Sequence, residues 1–198
     1  MFINNKLLLQ SSSLWTSVNI NAPVTTNADV DILRYLCYKC VRTKTTPMTF
    51  DIATGAAGLE KGIERLCAEA EKAVKEDFNY IILSDRSADE TQVPIPSLLA
   101  VSAVHNHLIS KRLRVQTAIV VETGEAREVM HFALLLGYGA SAVNPYMAFA
   151  VIDSLVKDKE IQLDYHTAEK NYLKAVNKGL LKVISKMGRA TMGSYRGA

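Results

Sequence analysis

Apolar residues in this chain form short continuous runs that alternate with longer stretches of helical period. The runs are Tyr80 to Leu83, Thr117 to Val121, and Ala142 with Val143. Each is followed by a polar turn: Ser84-Asp85-Arg86, Glu122-Thr123-Gly124 and Asn144-Pro145-Tyr146. Between them the period predicts helices from Pro96 to about Lys111, from Glu125 to Leu136, and from Tyr146 to Val156. Proline suits a first turn, and Gly137 suits a helix end. Gly58 to Lys75 is a further helix, with Leu59, Ile63, Leu66, Cys67 and Ala70 as its apolar stripe. Continuous apolar strands between helices predict an α/β fold, with a parallel sheet flanked on both faces and right-handed crossovers.

The ends of the chain are patterned differently. Residues 1 to about 28 show no period, and Asn19, Asn21 and Pro23 suggest an irregular arm. Asn27 or Asp29 is the expected cap of a short helix through Tyr38. Thr43 to Thr46 reads as a polar link, and Met48 to Ile52 alternates as a strand does. Near the other end, Lys157 to Glu160 is a charged exposed stretch. Lys170 to Met187 is a helix stopped by Gly188, and Thr191 to Tyr195 is expected to start a strand. Nothing closes that strand before Ala198, so the chain is expected to be cut from a longer protein. The pattern divides into an arm and short helix (1–45), a central α/β stretch (46–165), and a final helix and strand of different character (166–198).

Composition narrows the function classes. The chain has 198 residues, 48% hydrophobic and 22% charged, which suits a globular domain and excludes a disordered tail. A net charge of +3 gives no argument for nucleic acid. Cys37, Cys40 and Cys67 cannot form a full set of bridges, which suits a reducing, cytoplasmic setting. Cys37 and Cys40 form a CxxC without a second ligand pair, so helical packing is preferred to a metal site. His131 to Ile152 carries no Asp, Glu, Lys or Arg. Its glycines and proline argue for two buried elements and against a membrane span.

Candidate chemistry gathers at the strand ends, where parallel α/β sheets bind ligands. Asp85 and Glu122 have the chemistry for proton transfer or for holding a cation there, and the alternative is a polar loop in which Asp85 pairs with Arg86. Gly137 to Ala142 fits a GxGxxA spacing, but it closes a helix and precedes a strand, the reverse of a dinucleotide site. His105 and His107 face different sides of one helix, and Ser97 and Ser102 have no evident triad partners. His131 reads as a packed, hydrogen-bonded residue. Lys170, Lys174, Lys178, Lys182 and Lys186 form a basic stripe, read as a solvated face, with Lys182 and Lys186 in the last turns, where a cation can meet a carboxylate or phosphate.

Several long segments resemble one family in the right order: ILSDR at 82–86, PIPSLLAVSAVH at 94–105, VVETGEAREV at 120–129, HFALLLGYGA at 131–140, VNPY at 143–146 and NKGLLKVISKMG at 177–188. They resemble the large subunit of glutamate synthase, in its central domain and the first elements of its FMN domain. The resemblance implies an incomplete, (β/α) barrel-like fold. It also implies a multidomain iron-sulfur flavoprotein that makes two glutamates from glutamine, 2-oxoglutarate and reductant. In that family an amidotransferase domain releases ammonia, which travels through a tunnel to the FMN domain. The central domain joins the two and helps wall the tunnel.

On that reading the segment has no catalytic residue, metal or cofactor of its own, and the amidotransferase and FMN domains are its partners. Lys186, Met187, Gly188 and Ser194 are carried over as the flavin-site edge. Asp85, Glu122, Asn144 and Tyr146 are tunnel or domain contacts, with the Gly137 to Ala140 turn on the same path. The cytoplasm is implied, or a plastid in a plant or alga. Phe2 stands where no nucleophile cysteine follows Met1, and Arg189-Ala190 and Met130 depart from the usual family residues. Two other readings are an independent α/β enzyme using Asp85, Glu122 and Lys186, and a self-associating interaction module with a raw edge strand.

Overall fold

The strands at 80–84 and 118–122 are buried at every position. That requires neighbours on both edges and a cover on both faces. The structure, a computed structural model, describes residues 23–35 and 41–197. In chain order the elements are α1 (Asn27–Tyr35), β1 (Thr43–Pro47), β2 (Thr49–Asp51), α2 (Gly55–Lys75), β3 (Tyr80–Ser84), β4 (Gln92–Pro94) and α3 (Ser97–Ser110). They continue with β5 (Ala118–Glu122), α4 (Val129–Gly137), β6 (Ala142–Asn144), α5 (Tyr146–Lys157), α6 (Tyr165–Lys186) and α7 (Met192–Tyr195).

The main sheet is four-stranded and parallel, in the order β1-β3-β5-β6. Each new strand is added on the same side, so the sheet grows like a barrel wall and stays open. Its last edge is met by Val24, with Thr25 N–H donating to the Val143 carbonyl at 2.9 Å. Side chains alternate between the two faces. Ile81, Leu83, Ile119, Val121 and Val143 pack with residues of α2, α3, α4 and α6, among them Leu66, Val101, Phe132 and Leu180. Tyr80, Ile82, Ala118, Val120 and Ala142 face the other way, where Val30 and Leu33 of α1 cover them. The single short helix α1 therefore plugs the inner face of the wall.

Several expectations need correction. Thr43 to Thr46 is not a link but most of β1, an edge strand whose buried positions include only Thr46. With one buried residue in five it shows no hydrophobic alternation, although threonine favours strands. Met48 to Ile52 gives β2, which pairs with β4 in a separate antiparallel ribbon. Helix α4 starts at Val129, four residues later than the period suggests, because Glu125 is used in a loop. Thr26 caps α1: its Oγ1 accepts the Asp29 N–H at 3.1 Å, and Asp29 Oδ2 accepts the Thr26 N–H at 2.9 Å. Helix α6 begins at Tyr165 because Asp164 accepts the Thr167 N–H.

Thr191 to Tyr195 is a helical turn, not a strand. Thr191 Oγ1 accepts the Ser194 N–H at 3.2 Å, and the neighbouring sheet edge is already taken by Val24. The raw edge expected there is therefore absent from that segment. The charge-free stretch at 131–152 divides into α4, β6 and α5, and no described helix is long and apolar enough to cross a membrane. Phe2, Asn19, Asn21, Cys37 and Cys40 lie outside the described residues. Cys67 is a buried free thiol on α2, and burial pushes its pKa up.

Helices α4 and α6 touch where Gly179 meets Val129. A Cβ on Gly179 would lie 2.4 Å from Val129 Cγ2. Alanine gains about 1 kcal/mol of helix propensity over glycine. Overpacking against a fixed β-branched side chain costs about 1–3 kcal/mol. Gly179→Ala is thus expected to destabilise by about 1 kcal/mol net. Urea unfolding measures it, and a more stable variant would contradict the packing argument.

Candidate functional site

The strand register places Ser84, Glu122 and Asn144 directly opposite one another across β3, β5 and β6. By the pleat they share the inner face with Tyr80, Val120 and Ala142, so the apolar wall ends in one polar rung. Glu122 is 1% exposed, which demands full pairing for a carboxylate. Ser84 Oγ donates to its Oε2 at 2.5 Å, and Arg34 of α1 donates to the same oxygen at 2.8 Å. Arg86 Nε donates to Oε1 at 2.6 Å. Arg86 also donates to Asn27 Oδ1 at 3.3 Å, and its guanidinium lies 4.4 Å from the centre of the Tyr146 ring.

Asn144 is fully buried. Its Nδ2 donates to the Thr25 carbonyl and to Asn27 Oδ1, both at 3.1 Å, while its Oδ1 has no hydrogen-bond partner. One position further on, Asp85 accepts from Thr123 Oγ1 at 2.7 Å and from the Gly124 N–H at 3.0 Å. Burial, and then the Asp85 carboxylate, push the Tyr146 phenol up to about 12, so it stays a neutral hydroxyl. The cluster is closed on itself. Its two carboxylates are held by two guanidiniums, two hydroxyls and a backbone N–H, and α1 is bolted to the strand mouths. Such a site holds elements together and offers no free acid or base.

The family model described as the glutamate synthase central domain matches residues 3–198. The chain belongs to the glutamate synthase central domain family. It is 40% identical over 181 residues to the glutamate synthase [NADPH] large chain of Bacillus subtilis, covering 91% of this chain and 12% of that one. It is 46% identical over 153 residues to glutamate synthase [NADH] of Schizosaccharomyces pombe, covering 76% of this chain and 7% of that one. The chain thus spans a small part of these relatives' length. In fold it is similar to a doubly substituted flavocytochrome b2 with sulfite bound, at a TM-score of 0.54 and 12% identity, over 86% of this chain and 49% of that one.

Within this central domain the sequence-derived residues separate into three places. Asp85, Glu122, Asn144 and Tyr146 do come together at the strand ends. Asp85 and Arg86 do not pair locally: Asp85 binds the next loop, and Arg86 binds Glu122. The Gly137 to Ala140 turn precedes β6, at the opposite end of that strand from Asn144, so the two do not form one wall. Lys186, Met187, Gly188 and Ser194 form a third group, all exposed. Gly179 places mid-α6 against the start of α4, while Tyr195 lies on Gly137 at the other end of α4. Helix α6 thus carries Lys186 away from Asp85 and Glu122, and the independent-enzyme reading loses its convergence. All five lysines of the stripe are exposed.

The remaining candidates are accounted for locally. His107 Nε2 lies 2.7 Å from Glu71, and His105 accepts from Arg114. His131 is exposed, and its Nδ1 accepts from the Arg127 and Glu128 N–H groups. Ser97 Oγ donates to Glu125, and no group of metal-ligating side chains occurs among the described residues. Sequence reasoning missed Arg34, Asn27 and Thr25. Arg34 meets Glu122 across 88 positions of sequence, a pairing without local signal. The rung was legible: strands ending Leu-Ser, Val-Glu and Val-Asn in register place those polar residues on one face.

Proposed function

We propose that this domain joins the amidotransferase and FMN domains of a glutamate synthase and helps wall the ammonia path between them, with no turnover of its own. The parent reaction converts glutamine, 2-oxoglutarate and reductant into two glutamates, in the cytoplasm or a plastid. The family match across residues 3–198 carries this reading. The strand-end cluster supports it. A conduit for neutral ammonia must not hand it a proton, and here the charged groups are spent on one another. Asn144 contributes a buried acceptor with spare capacity, and Tyr146 a neutral hydroxyl.

FMN and the iron-sulfur cluster belong to the parent enzyme in this reading, and FMN there supplies the hydride. Lys186, Met187 and Gly188 fit a contact at the flavin-site edge. Lys186 is exposed, and nothing lies within 4 Å of a Cβ built on Gly188. Ser194 fits less well, since its Oγ already donates to the Thr191 carbonyl at 2.9 Å.

The test is made in the full-length synthase with Asn144→Leu and Tyr146→Phe. Glutamine-supported glutamate formation is expected to fall about tenfold, the equivalent of ~1.4 kcal/mol or one lost hydrogen bond. Ammonia-supported formation and glutaminase activity should be kept. If glutamine-supported synthesis is untouched in both variants, these residues do not line the path.

A further inference from the structure

At the end of the sheet opposite Glu122, Arg114 and Arg196 come to one turn with no acid paired to them among the described residues. Arg114, just beyond α3, donates Nε to His105 Nδ1 at 2.8 Å. It also donates Nη1 to the Thr117 carbonyl and Nη2 to the Gly139 carbonyl, both at 2.7 Å. The first bond requires His105 Nδ1 to be a bare acceptor, so the imidazole is neutral. Burial, then Arg114 and Arg196, hold its pKa down at about 4.

Arg196, immediately after α7, arrives at the same place. Its Nη2 donates to Ser141 Oγ at 3.3 Å, and its Nε is buried without a hydrogen-bond partner among the described residues. Burial and the neighbouring Arg196 bring Arg114 down to about 10. The described ion pairs all lie elsewhere, so neither guanidinium has a counter-charge among the described residues.

This arrangement differs from the one at the strand mouths, where a carboxylate lies between the arginines. Arg34 and Arg86 also approach each other, but they share Glu122. Buried donors find acceptors, and like charges at close range need an opposite charge between them. What the second cluster lacks among the described residues is an acceptor that carries negative charge. We propose that Arg114 and Arg196 form a binding site for one oxyanion, a phosphate or a carboxylate, beside the Gly139–Ser141 turn.

The donor set suits that ligand. A guanidinium has five N–H donors in a planar fork that matches carboxylate and phosphate oxygens. Arg114 uses three of its nitrogens on fixed acceptors, so it is held rigidly and keeps N–H groups to spare. Arg196 brings the unused Nε, and the Ser141 hydroxyl can turn to donate. His105, Arg114 and Arg196 are each half-buried.

The experiment titrates the chain with inorganic phosphate and, separately, with acetate, against chloride at matched ionic strength. Calorimetry and the Arg Nε–H resonances in nitrogen-15 NMR are the readouts. A saturable response is expected, with the Arg196 Nε–H resonance among those that move. Arg196→Gln should weaken binding about tenfold, the scale of one charge-assisted hydrogen bond. Response to phosphate alone identifies a free phosphate group, and response to acetate identifies a carboxylate. If Arg196→Gln fails to fold, the wild-type Nε resonance decides by itself. A response no different from chloride, or an Arg196 Nε–H resonance that ignores both anions, overturns the proposal.

Discussion

Glu122→Gln is expected to remove about 3 kcal/mol of stability, near the lower end of the cost of breaking a buried ion pair. The carboxylate is 1% exposed, while Arg34 is 26% and Arg86 42% exposed at their side chains. The arginines can recover part of their hydration, which keeps the cost below that of a fully buried pair. An amide in place of the carboxylate also points its N–H groups at one of the two guanidiniums. Arg86→Gln should cost less than about 1 kcal/mol, since it removes the more exposed partner. At this size the Glu122 variant would melt roughly 6–12 °C lower. Its proteolysis should start in or near α1, because Arg34 ties that helix to the sheet. A Glu122→Gln protein as stable as the parent would mean that the rung holds nothing.

Gly139→Ala is expected to cost about 3–5 kcal/mol, from two effects that add. Gly139 has φ +118°, a conformation that L side chains rarely adopt. A Cβ there would lie 2.4 Å from both Cγ and Nδ1 of His105. The ring cannot swing aside without breaking its bond to Arg114, and Arg114 is anchored on the Gly139 carbonyl itself. Gly188→Ala separates the two effects, because Gly188 has φ +68° with nothing within 4 Å of its Cβ. It should cost only about 1–2 kcal/mol, the strain alone. Adding His105→Ala to Gly139→Ala should return the steric part and leave the strain. Equal losses for Gly139→Ala and Gly188→Ala would show that His105 does not crowd the turn.

Much of the architecture was readable because its cause is local. The runs at 80–83 and 118–121 are apolar throughout, as a strand covered on both faces is. Helix α4 ends at Gly137, one residue past the expected Leu136, and it is Gly139, not Gly137, that takes the positive φ; Pro96 precedes α3. The failures also have physical causes. Strand β1 has one buried residue and no period to find. The segment at 191–195 has strand-like composition, but a threonine cap and an occupied sheet edge made it a helical turn. Glu125 to Glu128 looked helical until Glu125 was required at the start of α3, where it accepts the Ser97 N–H at 2.8 Å.

By itself the sequence determined the family, the alternation of strands with helices, and the polar residues at the strand ends. These depend on short-range periodicity and on residue order, which a linear string preserves. Only the tertiary structure decided which charges neutralise one another. Glu122 is closed by an arginine 88 positions away, whereas Arg114 and Arg196 meet with no acid among the described residues. A charge's effect falls with distance through space and with the surrounding dielectric, and neither quantity is written along the chain.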